Sequence, residues 1–154
     1  MTADSSSTPR DDAIRLLARR EYAAAELRSR LTAKGHDPAT VEAAIARLAE
    51  EGLQSDARFV EHFVRSRVQR GQGPVKVRAE LGQRGVADEL IGEALRDAEC
   101  DWYALACEVL AKRFAGPGDA PRERARRQRF LAQRGFDAEQ TRHALEHAWH
   151  GTDD

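Results

Sequence analysis

Three stretches of the chain align without a gap: LTAKGHDPATVEAAIARL from Leu31, LGQRGVADELIGEALRDA from Leu81 and LAQRGFDAEQTRHALEHA from Leu131. Gly35, Gly85 and Gly135 are fifty residues apart, each with a leucine four positions before it. Ile45, Leu95 and Leu145 follow ten positions after the glycines. A repeat of this period constrains the fold more than any other feature. A unit that short has a small apolar face and must bury it against its neighbours.

Each landmark has a physical task. A helix ending in the left-handed conformation places glycine at C′, where a side chain would clash. The residues four before and one after that glycine form the Schellman hydrophobic contact. Leu81 with Val86 and Leu131 with Phe136 suit it, whereas Leu31 with His36 suits it less, which predicts a looser first joint. A new helix then starts. Asp37 caps it with Pro38 at the first helical position, and Asp137 caps its counterpart with Gln140 placed for a capping box. The second unit has Ala87 there, so Asp88 is expected to shift the start by one.

Two more helices precede each glycine. Ile14 and Leu17 share a face in the first unit, ahead of Tyr22, Leu27 and Leu31. Phe59, Val60, Phe63 and Val64 form an i, i+4 stripe in the second, and Trp102, Leu105, Val109 and Leu110 do so in the third. The joints before the middle helices read REYAAAE, RGQGPVK and FAGPGDAPRE. GQGPVK invites comparison with a phosphate loop, but Pro74 removes an N–H from any cradle and Val77 stands where a hydroxyl should follow the lysine. It reads as a hinge, with Gly73 ending one helix and Pro74 starting the next. Gly35, Gly73, Pro74, Gly85 and Gly135 are therefore the expected structural turns. The expected fold is all-α: three tandem three-helix repeats in an elongated arrangement able to curve. The expected division is a disordered tail over 1–10 and repeats over 11–54, 55–98 and 99–150.

With 6% aromatic and 33% charged residues, the core must be thin and built mostly from Leu, Val and Ala. Cys100 and Cys107 stand seven apart, roughly 10 Å along a helix. Disulfide geometry needs Cα atoms closer than about 7 Å, so they read as small buried helix residues. The N-terminal MTADSSSTPR has no apolar core of a signal peptide. No stretch approaches the roughly twenty apolar residues of a membrane span, so the chain is expected to be soluble and cytoplasmic.

No isolated nucleophile sits beside a base, so no catalytic residue and no cofactor are expected. His143, His147 and His150 follow i, i+4, i+7 spacing, which can hold a transition metal. No cysteine accompanies them, and histidines near a helix C-terminus are favourable with its dipole, so no metal site is assigned. Two basic blocks are more informative: Arg65, Arg67, Arg70, Lys76, Arg78 and Arg84, then Arg122, Arg124, Arg126, Arg127 and Arg129. Because the net charge is only −1, these blocks are local features. They read either as solvated helix faces or as a footprint for phosphates or an acidic protein groove. Arg127 occupies the slot of Leu27 and Val77, so either its helix rotates or its charge snorkels outward.

The stretch GLQSDARFVEHFVRSRVQRGQGPVKVRAELGQRGV, with DWYALACEVLAKRF after it, resembles the RecX family of regulators of the RecA recombinase. Asp56, Phe59, Arg67, Gly73-Pro74, Leu81, Gly85 and Asp101-Trp102 carry the resemblance, which extends over about residues 11 to 150. Ala23 departs from it where members often have a Ser cap, and Leu53 where a Tyr is frequent. The repeat predicts a monomer, and the resemblance implies a non-enzymatic protein that binds the RecA filament on single-stranded DNA along its groove. It implies inhibition of ATP hydrolysis and strand exchange, with filament growth blocked or disassembly favoured. The basic residues could then touch RecA or the DNA, single- or double-stranded. The rival class is a helical DNA-binding transcriptional regulator, since helix–glycine turn–helix at 27–48 has the look of a helix-turn-helix. That motif usually occurs once per subunit with a dimer element, and here it occurs three times.

Overall fold

The computed structural model describes residues 7–150. Within them lie nine helices and no strand: α1 (Pro9–Leu17), α2 (Ala24–Ala33), α3 (Pro38–Glu50), α4 (Asp56–Gln69), α5 (Pro74–Gln83), α6 (Asp88–Asp97), α7 (Trp102–Arg113), α8 (Pro121–Gln133) and α9 (Ala138–His147). Residues 1–6 of the expected tail lie outside the described residues, and Pro9 and Arg10 are already helical. Thr8 is the N-cap of α1, accepting from the Asp11 N–H while Asp11 accepts in return. None of the described helices is long and apolar enough to cross a membrane.

The fifty-residue register is kept where local chemistry sets it. The helices α3, α6 and α9 start at Pro38, Asp88 and Ala138, so Asp88 does not shift the start of α6 and Ala87 keeps the cap position. The second helices end at Ala33, Gln83 and Gln133. In each following turn the glycine has positive φ: 108° at Gly35, 82° at Gly85 and 96° at Gly135. His36, Val86 and Phe136 then donate backbone bonds to the carbonyls of Leu31, Leu81 and Leu131, the six-to-one closure of a Schellman turn.

The first joint is polar rather than loose. His36 reaches the carboxylate of Asp12 at 2.6 Å, and Arg15 (2.8 Å) and Lys34 (3.0 Å) contact the same carboxylate. Asp12 is buried, so it replaces the missing apolar contact with an anchored charge cluster. The hydrogen bond from His36, aided by Lys34 and Arg15 against the effect of burial, holds its pKa down to about 2.

Two corrections concern the joints. The glycine that ends α4 is Gly71, not Gly73: Gly71 has φ 75°, and Gln72 donates to the Arg67 carbonyl. Gly73 instead occupies the cap position of α5, where an added Cβ would lie 2.4 Å from the Gly135 carbonyl oxygen. Ile14, expected on the inner face of α1, is 39% exposed, while Ala13 beside it is fully buried.

The chain forms two compact units, one of residues up to Phe63 with Leu81–Ala94, the other of Val64–Glu80 with the residues from Leu95 on. In the first, Ala13, Tyr22, Leu27, Leu31, Val41, Ile45 and Leu48 form one core cluster, and Phe59, Val60, Leu81, Val86 and Ile91 are buried as well. In the second, Ala106, Val109, Leu110, Leu131, Phe136 and Ala144 form another, with Phe114, Phe130 and Trp149 packed against them. Each fully buried leucine contributes about 1.5–3 kcal/mol.

The same joint recurs in both units. In the first, Gly85 sits on the opening turn of α2, where a Cβ would lie 2.4 Å from the Ala25 Cβ. In the second, Gly135 sits on the opening turn of α5, where a Cβ would lie 2.3 Å from the Lys76 Cβ. There Gly73 and Val75 donate to the carbonyls of Arg134 (2.7 Å) and Gly135 (2.9 Å). Backbone hydrogen bonds at that range leave no room for a side chain at Gly73 or Gly135.

Candidate functional site

The two arginine blocks differ in how much of their charge the fold already uses. In the middle block Arg67 is mostly buried, with 13% of its side chain exposed, and its Nε donates to Glu80 at 3.1 Å. Arg84 donates to Glu26 at 2.9 Å and lies over the Phe63 ring at 4.9 Å. Glu80 and Arg84 thus each pair with a residue of another helix, where burial strengthens the ion pair. Lys76 is half-buried with its stem beside Gly135. Arg65, Arg70 and Arg78 are exposed.

Arg84 has a counterpart fifty residues on. Arg134 donates to the Arg70 carbonyl at 3.3 Å and lies over Phe130 at 5.0 Å. In each unit an arginine just before the C′ glycine therefore reaches to the residues it docks against. Arg67 and Arg84 are structural, although the charge pattern alone groups them with the surface arginines.

In the third block the odd member is Arg127. Its Nε donates to the Gly116 carbonyl and its Nη1 to the Glu123 carbonyl, each at 2.9 Å, and the guanidinium lies 4.3 Å over the Phe114 ring. It staples the α7–α8 loop, and that resolves how an arginine fills a slot held elsewhere by Leu27 and Val77. The helix α8 also begins at Pro121, three residues before the position matching Ala24 and Pro74, which gives it an extra turn. Arg122, Arg124, Arg126 and Arg129 on it are exposed.

The histidines do not form one row, because α9 ends at His147 and His150 falls in the turn beyond it. The rings of His143 and His147 lie 4.5 Å apart, tilted by 42°, and Tyr103 meets His143 edge-on at 5.2 Å. Among the described residues no group of three or more His, Cys, Asp or Glu is placed to hold a metal. Cys100 lies ahead of α7 rather than on a helix, and both cysteines are half-buried free thiols whose pKa values burial pushes up. Sequence reasoning missed Asp12, whose only signal is an acid in the first turn of an amphipathic helix.

The chain matches all three parts of one family in order: the first three-helix domain of RecX over residues 10–48, the second over 55–95 and the third over 99–145. A regulatory protein RecX of Chromohalobacter salexigens is 64% identical over 146 residues, covering 95% of this chain and 96% of its own. One from Halorhodospira halophila is 54% identical over 140 residues, covering 90% and 87%. Among solved structures, RecX from Lactobacillus salivarius shares the fold at a TM-score of 0.76 and 17% identity, covering 90% of this chain and 92% of that one. A second crystal structure of a regulatory protein RecX gives the same TM-score at 19% identity, over 90% and 70%. By sequence over nearly its whole length, this chain belongs to the RecX family of regulatory proteins.

Proposed function

We propose that this chain is a non-enzymatic negative regulator of the RecA recombinase in the cytoplasm. It binds as a monomer to the RecA filament on single-stranded DNA. Bound there, it inhibits ATP hydrolysis, strand exchange and filament growth, and so restrains DNA repair and recombination. The observation that carries the reading is the ordered match of all three domains to one family of regulatory proteins. Its contact residues are the exposed members of the two blocks: Arg65, Arg70 and Arg78 in the middle, Arg122, Arg124, Arg126 and Arg129 on α8. Arg67, Arg84 and Arg127 hold the scaffold that presents them.

A titration of the purified chain into RecA hydrolysing ATP on single-stranded DNA tests the reading. Hydrolysis should fall as the chain is added. Unchanged hydrolysis at a molar excess of the chain over RecA overturns it.

A further inference from the structure

Two of the five histidines, His143 and His147, stand one helical turn apart on α9. His143 is half-buried, with the Tyr103 ring of α7 against it at 5.2 Å. The Tyr103 hydroxyl donates to Glu139, one turn before His143, at 3.4 Å. Ala144, next along the chain, is fully buried and fixes the rotation of α9. His147 keeps 55% of its side chain exposed, and its ring centre lies 4.5 Å from that of His143. That separation has a chemical meaning. Imidazole nitrogens bind transition metals at about 2.0–2.1 Å, so two rings at right angles about one ion have centres about 4.5 Å apart, and at the tetrahedral angle about 5 Å. The pair matches the right angle, which ions of square or octahedral preference offer.

The surroundings favour an added cation. The pair closes α9, at the negative end of the helix dipole. Glu146 holds a carboxylate oxygen 3.8 Å from the His147 Nε2, and Glu139 lies one turn before His143. Arg142 is the one arginine of α9, and it is exposed, where solvent screens its charge. No third His, Cys, Asp or Glu among the described residues completes a protein cage, so water fills the other positions. A nitrogen pair without thiolate suits nickel(II) or copper(II) better than the closed sites of structural zinc. We infer that His143 and His147 are the two protein ligands of a site for a divalent metal ion of square or octahedral preference, the class of nickel(II) and copper(II). Bridging the last turn of α9, the ion pins the end of that helix. The site is separate from the arginine blocks and its test contains no RecA, so it and the proposed function can fail independently.

The experiment is isothermal titration of nickel(II) chloride, and separately of zinc(II) chloride, into the untagged full chain. One nickel ion should bind per chain, more tightly than zinc. His143→Ala and His147→Ala should each weaken nickel binding by about tenfold or more, at least what the loss of an outer-shell partner costs a metal site. The H62A/H150A variant removes two other histidines and should bind like wild type. Circular dichroism melts give a second readout. Nickel at about a hundredfold excess over its dissociation constant should raise the wild-type melting temperature by about 5 °C, and EDTA should reverse the rise. His147→Ala should melt like wild type without nickel and gain nothing from it. Equal nickel affinity in wild type and His147→Ala overturns the inference. So does an equal loss in H62A/H150A, tighter binding of zinc than of nickel, or a wild-type melt that nickel leaves unmoved.

Discussion

The carboxylate of Asp56 accepts a hydrogen bond from the backbone N–H of Ala24 at 2.8 Å, across thirty-two residues of chain. Ala23 precedes it at the cap position with no side-chain oxygen to offer, and Glu26 accepts the Ala23 N–H instead. Gln54 steadies the arrangement, donating to both Asp56 (2.9 Å) and the Tyr22 carbonyl (3.2 Å). The Ala24 N–H at the start of α2 is thus met from the next domain, and the Ala23 N–H from within α2. At the equivalent turn of α5, Pro74 has no N–H to satisfy and needs no such partner.

Removing that borrowed cap should cost stability. Asp56→Ala is expected to destabilise the fold by about 1–2 kcal/mol, and Asp56→Asn, which keeps an acceptor, by distinctly less. Urea unfolding of both variants measures the difference. Equal losses would mean that charge, not the acceptor, holds the start of α2.

Two glycines should respond differently to the same added methyl. Around Gly35 no described atom lies within 4 Å of a Cβ, so Gly35→Ala pays only for positive φ, about 1 kcal/mol. Gly73 has ordinary φ, but its Cβ would strike the Gly135 carbonyl, so Gly73→Ala should cost more, on the order of 2–3 kcal/mol. Melting temperatures in the reverse order would contradict the joint described for the second unit.

Asp12 makes stability depend on acid. Its folded pKa of about 2 lies below the ordinary 3.8, so protonation disfavours the folded state. The stabilisation, about 2 kcal/mol, is fully present above pH 3.8 and fades as pH falls from there towards 2. Denaturant melts between pH 2 and 6 should show that fall, and Asp12→Asn should flatten it.

The arginines should separate by what they touch, not by the block they occupy. Arg67→Ala and Arg127→Ala each leave a partner behind, Glu80 or the Gly116 carbonyl, and should destabilise by about 1–3 kcal/mol. Arg78→Ala and Arg124→Ala lie on exposed faces and should stay within about 0.5 kcal/mol of wild type. In a RecA ATPase assay R70E/R78E is expected to inhibit less well than wild type while melting at nearly the same temperature.

What could be foreseen depended on how far apart the interacting residues are in sequence. The C′ glycines and their leucines were readable because a Schellman turn closes within six residues. GQG was misassigned because both glycines can end a helix, and counting four from Arg67 singles out Gly71. Arg67–Glu80, Arg84–Glu26 and Asp56–Ala24 pair positions thirteen to fifty-eight apart, and no local pattern announces such partners. The polar first joint escaped for the same reason, since Asp12 and His36 are twenty-four residues apart.

The recurring joint also gives the array a direction. One member is a plug, the C′ glycine of a domain, and the other a socket, the bare opening turn of the second helix in the domain before it. Ala23 and Gly73 keep two sockets open, but the matching position on α8 is Glu123, beneath an added turn stapled by Arg127. Copying the central domain in tandem should preserve the pairing, because its plug is a C′ glycine like Gly135 and its socket opens on Gly73. Grafting the same domain behind α8 should not, because its glycine would meet a glutamate. The chain can be lengthened from within, and α8 is closed to extension.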